Sequence, residues 1–113
     1  MRKSASVIWP KRSRWTQKVL LARLQRDLRG RVEKAYLFGS HARETASGES
    51  DVDLIVVANT PRAWPERGRD FGDLWDRYGA VDLLVYTPSE WKRMNERHSP
   101  VLWHARKHWK RVI

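Results

Sequence analysis

The sequence predicts a small α/β (α+β) protein, a mixed β-sheet backed by helices on one side. Three observations lead there. Short apolar runs at 35–38, 54–58 and 83–86 have the length of buried strands. The stretches between and around them carry apolar residues three and four apart, the spacing of helices. With 113 residues and 41% hydrophobic content, the chain has room for one domain and one modest core.

Residues 1–13 read as a basic arm, with Pro10 breaking any early helix. The domain proper then spans 14–113. From Ser13 to Leu28, Val19, Leu20, Leu24 and Leu28 recur at helical spacing while Arg23, Arg26 and Arg29 take the other face, and Gly30 ends the run. Residues 31–38 form the first strand. Gly39-Ser40 breaks it, and 40–46 can make a short helix. Residues 45–50 are small and polar, a loop. Asp51 to Val57 is the second strand, with Asp51 and Asp53 on one face and Val52, Leu54 and Val56 on the other.

Asn59-Thr60-Pro61 closes that strand. A helix is expected over 64–78, where Phe71, Leu74, Trp75 and Tyr78 share a face and Gly68 and Gly72 are its weak points. Residues 80–86 are the third strand. Pro88 opens a helix with Glu90 in its first turn, and that helix carries Trp91 and Met94. Ser99-Pro100 starts a last helix with Leu102, Trp103 and Ala105 inward, and 109–113 closes as a short edge strand.

The net charge is +10, and its distribution matters more than its size. Residues 1–34 hold eleven Lys/Arg against two acids, 88–113 hold seven against two, and 35–87 hold five against nine. An acidic centre between basic ends repels phosphate unless a cation intervenes, which points to metal-dependent handling of an anion. The absence of Cys excludes disulfides and thiolate-bound zinc. The longest apolar run, Leu54–Ala58, is far too short to span a bilayer, and 1–10 has no signal-peptide pattern, so a cytoplasmic protein is expected. Seven Trp in so short a chain exceed what the core needs, and some are expected under a partner chain in a homo- or hetero-oligomer.

The chemistry gathers at Leu37-Phe38-Gly39-Ser40, a ten-residue gap, and Asp51-Val52-Asp53. A glycine at a strand-to-helix turn lets backbone approach an oxyanion, and the Ser40 hydroxyl adds a donor. Two carboxylates one residue apart on a strand share a face, and their oxygens suit hard cations. Like charges inside an apolar strand are unfavourable unless a divalent ion offsets them. Val81-Asp82-Leu83-Leu84 supplies a third acid. If its strand lies beside the second, all three form one cluster able to hold two metal ions.

Phe38-Gly39-Ser40-His41-Ala42-Arg43, Ser50-Asp51-Val52-Asp53-Leu54 and Val81-Asp82-Leu83-Leu84 with Thr87-Pro88-Ser89-Glu90 together resemble the DNA polymerase beta-like nucleotidyltransferase superfamily, in its minimal nucleotidyltransferase (MNT) branch. The resemblance covers residues 15–113. It implies the nucleotidyltransferase fold, a nucleoside triphosphate held by Gly39, Ser40 and Arg43, and Mg²⁺ held by the catalytic acids Asp51, Asp53 and Asp82. It further implies transfer of AMP from ATP to a hydroxyl of a partner protein, a HEPN-type toxin that the chain serves as antitoxin. Glu44 departs from the pattern, where the family often has Gly; if that position is left-handed, Glu strains it.

Other readings stand beside this one. The same fold could neutralise its partner by contact alone, with catalysis weak or lost. The basic ends could bind nucleic acid as a secondary role. Arg43 could pair with Glu44 or Glu49. His104 and His108 read as surface histidines, and Trp103 and Trp109 as core or interface. A small-molecule transferase of this class would need a second domain, for which there is no room.

Overall fold

The computed structural model describes residues 15–47 and 50–113, so the basic arm lies outside the described residues. Helix α1, Gln17–Leu28, is capped by Thr16, whose hydroxyl accepts from the Val19 amide at 3.3 Å. It buries Leu20, Leu24 and Leu28, while Val19 faces solvent. Strand β1, Lys34–Phe38, runs into the four-residue helix α2, Gly39–Ala42. Strand β2 is Val52–Val57. A 3₁₀ helix, Trp64–Phe71, leads into α3, Gly72–Tyr78. Strand β3, Val81–Tyr86, is followed by α4, Pro88–Glu96, α5, Pro100–Arg106, and a two-residue edge strand β4, Lys110–Arg111.

The strands form one mixed sheet in the order β3-β2-β1-β4. β1 pairs antiparallel with both β2 and β4, and β2 pairs parallel with β3. The α/β fold and the mixed sheet match the expectation. Helices on one side do not, because the sheet is covered on both faces. Leu37, Val52, Leu54, Val56 and Val85 pack with α1 and with Leu74 and Tyr78 of α3. The alternate positions, Tyr36, Ile55, Val57 and Tyr86, pack with Trp91 of α4 and with Leu102 and Ala105 of α5. β2 is apolar on both faces after Asp53, which demands two covering layers.

Two tryptophans expected inward are not. Trp75 is 52% exposed and Trp103 60% exposed. Each stands beside the residue that enters the core, Leu74 and Leu102 respectively, so a rotation of one position, ~100° on a helix, puts it outside. The helix expected over 64–78 begins as 3₁₀ and becomes α-helical only at Gly72, one of its two foreseen weak points. β1 starts at Lys34 rather than 31 because the backbone is still turning there, with the Arg31 amide on the Leu28 carbonyl at 3.0 Å, and the Arg31 side chain braces that turn. Its guanidinium grips both Asp73 carboxylate oxygens at 2.9 Å and the Asp70 and Asp27 carbonyls.

Among the described residues, three buried polar side chains tie separate segments together, and composition gave no sign of them. Asp27, at the end of α1, accepts from the Tyr78 hydroxyl and from Arg77, tying α1 to α3. His41 belongs to the site described below. Arg67 reaches from the 3₁₀ helix to the Val85 carbonyl and to both oxygens of Glu90, at 2.6 and 3.2 Å. Glu90 also closes a capping box with Thr87 at the start of α4. Among the described residues, no helix is long and apolar enough to cross a membrane.

The Arg67 hydrogen bonds, followed by the Thr87 amide, hold the Glu90 carboxyl down at about 2. A depressed carboxyl stabilises the fold above its unfolded-state pKa and loses that contribution as pH falls toward 2. Glu90→Gln should therefore cost about 2 kcal/mol at pH 7, screening of the half-exposed acid included. Urea unfolding at pH 7 and at pH 3 checks this, since the deficit must shrink at the lower pH.

Candidate active site

β1 delivers its chain into a turn at Gly39, where φ is +71°. The turn faces the start of β2, because Phe38 is the register partner of Asp53. On its other side Asp53 is the register partner of Asp82 in β3. Partners in adjacent strands share a face and lie ~4.8 Å apart, so the two carboxylates are neighbours. The strand order that the third acid required is present. Asp51 precedes β2 by one residue, and β2 alternation places it on the Asp53 side.

Contact between the glycine turn and Asp53 is intimate. A Cβ added at Gly39 would stand 2.0 Å from Asp53 Oδ2 and 2.9 Å from its Cγ. Only glycine lets this carboxylate occupy its position, quite apart from the backbone angle. Ser40 is half-buried, and its carbonyl accepts from the Thr45 amide at 2.9 Å, closing the turn after α2. Arg43 is exposed and makes no ion pair among the described residues; Glu49 lies outside them. Its charge acts on Asp53 instead. Glu44 sits at φ +60°, the left-handed conformation that the glycine usual in the resembling family would accept without strain.

Asp53 carries the electrostatic signature of the site. Burial raises its carboxyl to about 6, with further upward pushes from Asp82 and Asp51 and a smaller opposing pull from Arg43. Four of the six residues singled out from the sequence therefore interact around one half-buried oxygen pair. Gly39 touches it, and Ser40 follows in the same turn. The acids do not close into a ready-made cage: among the described residues, no three acidic or histidine side chains are grouped tightly enough to hold a metal as they stand. Asp51 and Asp82 are exposed, so their carboxylates spread into solvent.

Two supporting residues escaped the sequence reading. His41 is 3% exposed and hydrogen-bonds the backbone of Ser50, joining the turn to the residue before Asp51. Burial lowers its pKa, so it is held neutral. Gln17, at the start of α1, donates to the His41 and Ala42 carbonyls at 3.1 and 2.8 Å. The Ala42 carbonyl ends a four-residue helix too short to satisfy it, while the His41 carbonyl also accepts from the Glu44 amide at 3.3 Å. His41 lay inside a singled-out stretch, but only the fold shows what it reaches. Gln17 carries no signal at all.

Asp53 and Glu44 make two outcomes measurable. A carboxyl raised from 3.8 to about 6 on folding destabilises the fold above that pH and ceases to do so as pH falls toward 4. Asp53→Asn should stabilise the metal-free protein by about 1–2 kcal/mol at pH 7, allowing for solvent screening, with the gain fading by pH 4. Chelator-treated samples followed by thermal unfolding across that range check it. Glu44→Gly should be neutral to stabilising, by up to about 1 kcal/mol, as left-handed strain is released; urea midpoints of the two proteins decide the sign.

Comparison with known proteins adds an independent line. Residues 17–111 match the nucleotidyltransferase domain family. An inferred protein adenylyltransferase of Methanocaldococcus jannaschii is 44% identical over 36 residues, 32% of this chain; the chain spans about a third (36%) of the length of that curated relative. Among solved structures, an inferred nucleotidyltransferase from Sulfolobus solfataricus aligns with a TM-score of 0.43 at 24% identity, over 69% of this chain and 72% of that one. A toxin–antitoxin MntA–HpeT mutant aligns at 0.47 and 21%, over 83% and 69%. A toxin–antitoxin with AMP-PNP aligns at 0.46 and 21%, over 88% and 73%. These structural likenesses are loose, and the assignment rests on the family match, which takes in α1, the glycine turn and all three acids: the chain belongs to the nucleotidyltransferase domain family.

Proposed function

We propose that the chain transfers AMP from ATP to a hydroxyl of a partner protein, acting as the antitoxin of a HEPN-type toxin, with Asp51, Asp53 and Asp82 as its Mg²⁺-binding catalytic acids. The observation that carries the reading is the register that sets Asp53 beside Asp82 and against Gly39. The donor set fits the ion. Carboxylate oxygens without sulfur suit a hard cation, and the unfavourable ionisation of Asp53 is what a nearby cation offsets. Bound there, Mg²⁺ would neutralise charge on the phosphates and acidify the attacking hydroxyl.

The chain's own residues do the rest. The Gly39 turn, with the Asp53 carboxylate in the space a side chain would fill, brings backbone to the triphosphate, and the Ser40 hydroxyl donates to a phosphate oxygen. Arg43, free of ion pairs among the described residues, offers its guanidinium to the same anion. Asp82 takes the proton as the acceptor oxygen bonds to the α-phosphorus. The bond from that phosphorus to the pyrophosphate oxygen breaks, and pyrophosphate leaves. The choice of ATP and of a protein acceptor rests on the MNT resemblance, and the curated relative that is 44% identical over 36 residues bears the name of an inferred protein adenylyltransferase.

Incubation with radiolabelled ATP, Mg²⁺ and the protein encoded beside this one should label the latter. Asp53→Asn or Asp82→Asn should lower the rate by about 10³-fold or more. Gly39→Ala, which must push the Asp53 carboxylate aside, should lower it by about 10²-fold at a stability cost of only about 1–2 kcal/mol. Equal labelling by Asp53→Asn would remove the catalytic assignment. The left-handed Glu44 favours a second reading, neutralisation by contact alone. In that case a protein with all three acids changed to Asn still protects cells from the partner, and no label is transferred.

A further inference from the structure

Away from the acids, the edge of the sheet carries a second feature that the transfer chemistry does not use. Between the 3₁₀ helix, the end of β3, α4 and the start of α5 lies an open groove of about 470 Å³. Its apolar lining comes from Trp64, Tyr86, Met94 and Pro100, and its basic lining from Arg93 and Arg97. Trp64 leans on Tyr86, ring centroids 5.1 Å apart, yet remains 48% exposed.

The charge balance of this groove is one-sided. Its acid, Glu90, is occupied by the two hydrogen bonds from Arg67. Arg93 on α4 and Arg97, the residue that caps its end, lie four residues apart, both exposed, and neither makes an ion pair among the described residues. An apolar trough beside two uncompensated guanidiniums is complementary to a polypeptide that offers an apolar side chain flanked by carboxylates. The chain's own basic N-terminal residues, with Arg2, Lys3, Lys11, Arg12 and Arg14, carry the wrong sign to fill it.

Position relates the groove to the site. Tyr86 and Asp82 stand four residues apart in β3, on the same face of the sheet, so the groove opens about 13 Å along the strand from Asp82. A protein held there leaves the acids uncovered while a neighbouring segment of it reaches them. We infer that this groove docks an acidic segment, bearing an exposed apolar side chain, of the protein that accepts the nucleotide. The identity of the docked chain as acceptor rests on the function proposed above; the groove's preference for acidic apolar polypeptide does not.

Two measurements separate those levels. The first uses a fluorescein-labelled random copolymer of Glu and Tyr, with poly-Glu of equal length as comparison. The copolymer should bind about tenfold more tightly than poly-Glu. Arg93→Glu with Arg97→Glu should weaken it about tenfold, whereas the charge-matched pair Lys18→Glu with Arg29→Glu, on α1 across the sheet, should weaken it less than about threefold. Trp64→Ala should act like the groove pair if its thermal unfolding is intact; the exposed arginine pair decides the matter if it is not. Equal binding of copolymer and poly-Glu, equal loss in both charge-reversed pairs, or displacement of the copolymer by poly(U) at matched charge concentration overturns the groove as a polypeptide site.

The second measures AMP transfer to the neighbouring protein. The groove pair should raise the acceptor KM about tenfold with kcat and the KM for ATP within about twofold of the parent. An unchanged acceptor KM overturns docking of the acceptor even though transfer proceeds. Absence of transfer by the parent protein overturns the proposed function instead, and the copolymer result then stands or falls alone.

Discussion

Everything around the candidate site depends on one unfavourable arrangement, an aspartate carboxylate half withdrawn from water beside two others. Asp53 is placed there by backbone pairing. Antiparallel register to Phe38 and parallel register to Asp82 leave its side chain no other face to occupy. Strand pairing supplies many hydrogen bonds, and those hold a group that electrostatics alone would expel. The two covering layers of helices stabilise the sheet enough to carry that burden. Burial on both faces begins immediately after Asp53, at Leu54 and Ile55.

The polar ties between layers converge on the same purpose. α1 fastens the glycine turn through Gln17, and the turn fastens the approach to Asp51 through His41. Asp27, Arg31 and Arg67 lock α1, α3, β3 and α4 to one another at some distance from the acids. A domain of this size buries little apolar surface, and such hydrogen-bonded ties add specificity where the core is thin.

Much of this was legible in the sequence. The glycine-serine break, the ten-residue gap and the paired acids stand in one continuous stretch, and a third acid in an apolar run is conspicuous by its propensity. Strand order needed only the assumption that β3 lies beside β2. Glu44 could be marked as a left-handed position because the resembling family prefers glycine there, and its φ is +60°. Other features were hidden for physical reasons. Whether Trp75 or Leu74 faces inward turns on one step of helix rotation, which apolar spacing leaves open when both neighbours are apolar. The second covering layer, by contrast, was readable in the apolar run after Asp53, because a strand apolar on both faces must be buried on both. The partners that tie His41, Gln17, Asp27 and Arg67 to other elements, Ser50, Ala42, Tyr78 and Glu90 among them, lie 9 to 51 residues away along the chain, where no local pattern reports them.

The missing side chain at position 39 has an evolutionary corollary. Any residue larger than glycine there collides with the carboxylate at 53, and the collision is relieved either by swinging that carboxylate out of its position or by shortening the residue at 53. Shortening aspartate removes the carboxylate itself. No second substitution at that partner restores both the room and the acid, so, on the function proposed above, the two positions form a mutational trap: drift at either one leads away from a nucleotide-handling enzyme and toward a lineage that keeps the fold only for its surfaces.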